Sequence, residues 1–114
     1  MANRDIKFRV FDRKNRCFKY AIFDNGGWDF GESKFIQPDT EWMQYTGLKD
    51  KNGKEIYEGD VLADDWGKEQ VIWDNSGFCL VNSHGEYCQR CEYHIVIKLE
   101  VIGNIYESPA LLEG

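Results

Sequence analysis

Hydrophobic and polar positions alternate over residues 4–11, with Ile6, Phe8 and Val10 on one side and Asp5, Lys7 and Arg9 on the other. That period of two is the mark of a half-buried strand. Residues 17–23 repeat it, with Phe18, Tyr20 and Ile22 on one face, and the polar stretch 12–15 between them predicts a hairpin. Asn25-Gly26-Gly27, Gly31 and Pro38 break up residues 24–40, yet Trp28, Phe30, Phe35 and Ile36 are too apolar for a free linker. A packed loop or irregular strands are expected there. Extended structure resumes at 41–45 and leads to Asn52-Gly53, which predicts a two-residue turn with φ > 0 at both positions, with Gly47 as a bulge or corner. A short strand follows, then a break at Glu58-Gly59-Asp60 before Val61-Leu62.

Farther along, Asp64-Asp65-Trp66-Gly67 is turn material, residues 69–73 and 78–82 pair across a loop at 74–77, and Ser83-His84-Gly85 turns again. Residues 93–102 make the longest strand candidate, with Ile95, Ile97, Leu99 and Val101 facing one way. Ser108-Pro109 predicts an N-cap and one terminal helical turn. No helical stripe is sustained anywhere. The prediction is an all-β chain: an N-terminal β-hairpin/meander lobe over residues 1–47, then a C-terminal SH3-like small barrel over 48–114 ending in a short helical turn.

Composition changes this reading little. A chain of 114 residues supports one modest core, and an aromatic share of 15% lets a thin β-rich unit close it with large rings. No apolar run is long enough for a membrane helix and the first residues lack a signal-peptide core, so a cytoplasmic protein is expected. The net charge of −6 conceals an asymmetry. Residues 1–20 carry seven Lys and Arg against two Asp, a local +5 that leaves −11 on the rest. Charges alternating along the wet side of a strand explain the basic segment more simply than a phosphate-binding face.

Candidate chemistry is sparse. His84, Cys88, Cys91 and His94 include a Cys-x2-Cys pair of zinc-knuckle spacing. All four fall within eleven residues, however, and an extended segment points Cys88 and Cys91 to opposite faces. Free thiols in a reducing compartment are the favoured reading, with no metal or other cofactor expected. Asp50-Lys51-Asn52-Gly53 lacks the glycine position, terminal Glu and flanking helices of a calcium loop. Glu55, Glu58, Asp60, Asp64 and Asp65 read as solvated hairpin tips and turn-capping acids, and no strained nucleophile with a paired base is present. An enzyme is not expected.

Two blocks carry a family resemblance: Ile6-Lys7-Phe8-Arg9 at the start, and the long stretch 43–61, which runs through Tyr45-Thr46-Gly47-Leu48 and Glu58-Gly59-Asp60-Val61. A third, residues 101–112, completes it. On these residues the chain resembles the YopX family of bacteriophage and prophage proteins. The resemblance implies a β-rich, two-lobed fold in a phage-encoded cytosolic protein, and it implies no catalytic residue. The expected role is contact with a protein, either a host or phage partner or a second copy. Trp42, Tyr45, Trp66 and Trp73, with Lys7, Arg9 and Arg13, are the candidate interaction residues. The alternative is a nucleic-acid module that uses the basic N-terminal hairpin and stacks bases on barrel aromatics.

Overall fold

The computed structural model describes residues 6–12, 16–24, 27–29, 42–74 and 77–112. Among them the strands are β1 (Ile6–Asp12), β2 (Cys17–Asp24), β3 (Gly27–Asp29), β4 (Trp42–Lys49), β5 (Glu55–Tyr57), β6 (Asp60–Asp64), β7 (Gly67–Asp74), β8 (Gly77–Val81), β9 (Tyr87–Arg90) and β10 (Glu100–Asn104). A single helical turn, α1 (Tyr93–Val96), precedes β10, and a 3-10 turn (Pro109–Leu112) follows it. The described strands form two antiparallel sheets, β3-β2-β1-β4-β5 and β10-β6-β7-β8-β9. The fold is all-β, as the alternation predicts. No helix among the described residues is long and apolar enough to cross a membrane.

The first sheet reaches Tyr57, so it continues past residue 47 into the stretch assigned above to the second lobe. β1 and β2 pair as the expected hairpin, with Ile6 opposite Phe23 through to Asp12 opposite Cys17. At Gly47 the β4–β5 register shifts, the predicted bulge. β1 lies between β2 and β4, and the burial of Arg9 overturns the wet-face reading of its charges. Val10 is buried on one face, while Arg9 and Phe11 are buried on the other among Met43, Tyr45, Tyr57 and Phe18. An alternating strand has a wet side only at a sheet surface open to solvent, and here both faces are covered.

The turn at Asn52-Gly53 is longer than the two-residue form. Lys49 pairs with Glu55, the Gly53 amide donates to the Asp50 carbonyl, and only Gly53 has φ > 0, at 80°. Asp50 drives the change. Its buried carboxylate accepts the amides of Asn52 and Lys54 within the loop and that of Val101 in β10, at 2.8–2.9 Å. The Lys51 amide also reaches the Leu99 carbonyl, which docks the loop on the second sheet.

The expected long strand over 93–102 is two elements. Amides of Ile95 and Val96 bond to the Glu92 carbonyl and that of Ile97 to Tyr93, closing α1, and β10 begins only at Glu100. Val96 and Leu99 enter the second core from this turn, whereas Ile97 is left partly exposed. A strand would place Val96 and Leu99 on opposite faces, and burying both decides for the turn. The core they enter contains Leu62, Val71, Phe78, Leu80 and Val101, together with Ile56 from the first sheet.

Residues 58–60 carry the chain from one sheet to the other with their backbone satisfied: the Glu58 amide donates to Gln44, the Gly59 amide to Val71, and the Gly59 carbonyl accepts from Ile105. Gly59 has φ of 90°, and a Cβ there would meet the Tyr106 ring at 3.1 Å and the Met43 sulfur at 3.4 Å. Gly59→Ala is therefore expected to destabilise by about 1–3 kcal/mol, seen as a lower denaturant midpoint.

Candidate interaction surface

Sequence-predicted contact residues divide sharply by position. Trp66 stands at the tip of the β6–β7 hairpin and is 92% exposed. Asp64 fixes that tip, since one of its carboxylate oxygens accepts the amides of Trp66 at 2.8 Å and Gly67 at 3.1 Å. Trp73, 54% exposed, sits across from Phe78 in the β7–β8 register and meets that ring edge-on at 4.8 Å between centroids. Trp42, at the start of β4, is 41% exposed and edge-on to Phe8 at 6.3 Å. Tyr45 is buried, its ring 5.4 Å from that of Tyr57. Arg13 lies outside the described residues.

Lys7 and Arg9 point inward, and this corrects their assignment as presented residues. The Arg9 guanidinium lies between the rings of Phe18 and Tyr57, at 4.2 and 4.4 Å, and its terminal nitrogen binds Asp60, which also accepts the Tyr57 amide at 2.8 Å. Stacked between cation-binding rings, Arg9 is buried, 5% exposed as a residue. Burial pushes the Asp60 carboxyl up, opposed by Arg9 and by the Tyr57 amide. Lys7 pairs with Glu55 and lies 4.9 Å from the Tyr45 ring centre. Tyr57 donates to Glu55, and burial together with that carboxylate raises its phenol well above the ordinary value. Asp12 and Lys19 pair at 3.3 Å. Alternation alone assigns a charge to solvent, and nothing local to Arg9 marks its pairing with Asp60.

Sequence reasoning missed Tyr87 and Tyr93, both well exposed on the second sheet and α1. The strand period places Tyr93 along a strand face, whereas the helical turn α1 presents it to solvent.

The four residues of zinc-knuckle spacing are not brought together. His84 lies in the exposed β8–β9 turn, its amide bonded to Asn82, and Cys88 is exposed on β9. Cys91 packs against the second core, and His94 is on α1, 3.6 Å from Glu92. Among the described residues no group of three or more His, Cys, Asp or Glu is arranged to hold a metal ion. Burial pushes the Cys91 thiol up to about 12, aided by Cys79 and Asp60, which opposes the thiolate that metal ligation or nucleophilic attack requires. In the folded protein a thiol reagent is expected to label Cys17 and Cys88 first, Cys91 more slowly, and Cys79 only on unfolding, resolved by peptide mass mapping.

A family model described as YopX protein matches residues 7–113. The crystal structure of protein EF1440 from Enterococcus faecalis is similar at a TM-score of 0.62 and 26% identity, covering 95% of this chain and 98% of that one. No curated protein matches the sequence.

Proposed function

From the premise that the chain belongs to the YopX family, matched across residues 7–113, we propose that it is a phage- or prophage-encoded accessory protein of the bacterial cytoplasm that works by contact with protein and carries no reaction centre. We read its second sheet as an SH3-like half-barrel presenting the contact surface. One observation supports this reading above the rest: large rings are left to solvent at Trp66, Tyr93, Tyr87 and Trp73 while the cations Lys7 and Arg9 are turned into internal ion pairs. Large exposed rings are the common anchors of protein interfaces. The nucleic-acid alternative needs that same basic hairpin free to neutralise phosphates, and its two central cations are already paired.

Two measurements test the reading. Retention on single-stranded DNA or RNA at about 50 mM salt, where phosphate contacts are strongest, is expected to be absent. Strong retention that weakens steeply with salt reverses the choice in favour of nucleic acid. Light scattering across a concentration series reports on assembly: a growing mass supports self-association, and a constant monomer directs the search to a different protein.

A further inference from the structure

The β6–β7 tip combines three properties that seldom coincide. Its turn is fixed, because Asp64 accepts two backbone amides from within it. Its side chain is the wrong kind for the position. Turn tips favour Gly, Asn, Asp and Ser, which relieve backbone constraint, and a tryptophan that is 92% exposed contributes no burial to the fold. Its immediate neighbours are acidic. Asp64 and Asp65, both exposed, directly precede the ring in sequence. Lys68 is the one nearby cation of the hairpin, and its amine donates to the Leu111 carbonyl at 2.9 Å.

We propose that Trp66 is the anchor of a docking site for a different protein, one that offers an apolar slot for the indole with a rim of Lys or Arg. The proposal rests on the contact reading above and names its residue and the chemistry of its partner. A fixed turn lowers the ordering cost of binding, and a single indole filling a slot supplies the bulk of a small interface's affinity. The acidic collar selects the rim. A phosphate-rich polymer or an anionic membrane surface is repelled by the two aspartates beside the ring. A second copy meeting tip to tip would set those carboxylates against their own counterparts, in a chain of net charge −6.

The test pans a displayed library of random short peptides on the full chain, then measures the selected peptides against Trp66→Ser and Asp65→Lys. Both substitutions are at exposed turn positions, so the unfolding midpoint of each variant is expected to match the parent. Selected peptides are expected to join aromatic or aliphatic residues to Lys and Arg, to lose at least about tenfold in affinity on Trp66→Ser, and to weaken on Asp65→Lys and with added salt. Peptides that bind Trp66→Ser as tightly as the parent overturn the assignment of the anchor while leaving the contact reading intact. A panel without basic residues, or one indifferent to salt, overturns the assignment of the rim. Enrichment of no peptide at all counts against the site, and with a strict monomer it counts against the contact reading too. Sedimentation showing self-association abolished by Trp66→Ser would make the occupant a second copy and overturn the partner proposed.

Discussion

Arg9→Met is expected to lower the stability of the fold by about 3–5 kcal/mol, because it leaves Asp60 as a buried carboxylate without its cation. The methionine itself is well suited to the space. Its thioether can lie between Phe18 and Tyr57 as the guanidinium does, so packing is not the origin of the loss. The charge left behind is. Adding Asp60→Asn restores a neutral pair, since the amide oxygen can still accept the Tyr57 N–H. The double variant is therefore expected to recover most of the lost stability, a coupling visible in denaturant melts as strong non-additivity. Two independent losses that simply add would show that the pair is not the unit. The buried Arg9 Nε has no hydrogen-bond partner among the described residues, which also favours the neutral replacement.

The second large effect belongs to Asp50. Asp50→Ala removes the acceptor of three backbone amides, and that of Val101 is buried at the sheet contact. Amides of Asn52 and Lys54 lie in an exposed loop and can turn to water, so the expected loss is about 2–4 kcal/mol, mostly from Val101. The same carboxylate gives the fold a pH dependence of known sign. Burial works against its ionisation, but the amides of Val101, Lys54 and Asn52 outweigh burial and hold it below the ordinary 3.8. Its contribution is thus complete above that value and is lost as pH falls through the lower folded one. Asp50→Asn keeps an acceptor for the loop but turns a donor group toward Val101. It is expected to cost less than Ala and to flatten the acid limb. Asp60 acts in the opposite direction, since burial raises its carboxyl and its share of stability declines as pH rises through the raised value. Subtracting the variant's pH–stability curve from the parent's cancels Asp60 and isolates Asp50. A difference that is flat between pH 2 and 5 (roughly the carboxylate range) would remove Asp50 from this role.

Strand existence was legible in the sequence wherever alternation is bounded by turn residues. β1, β2, β7 and β8 are near where the pattern predicts them, and the bulge at Gly47 is there too. What alternation cannot say is whether a strand's second face meets water. Lys7 and Arg9 look like surface charges until β4 and Asp60 arrive from distant parts of the chain, and pairing across that separation has no local signature. The same gap explains α1. Apolar residues at 95, 97, 99 and 101 fit a strand by period, and only the demand that Val96 and Leu99 share one core converts the segment into a turn. The surface was half legible. Tryptophans were recognised as candidates, but nothing in spacing separates Trp66, left in solvent, from Tyr45, enclosed by the first core. The metal-like spacing gathers no site among the described residues for a related reason: its four side chains fall on a turn, a strand, a connection and a helical turn.

β10 completes the second sheet and ties it to the β4–β5 loop of the first. It zips onto β6, its Val101 amide reaches Asp50, and just beyond it Ile105 bonds to the Gly59 carbonyl at the crossing between sheets. During synthesis, then, a nascent chain that has not yet released residues 100–105 from the ribosome leaves β6 unpaired along one edge of the second sheet. That edge is open to wrong pairing until this late segment emerges.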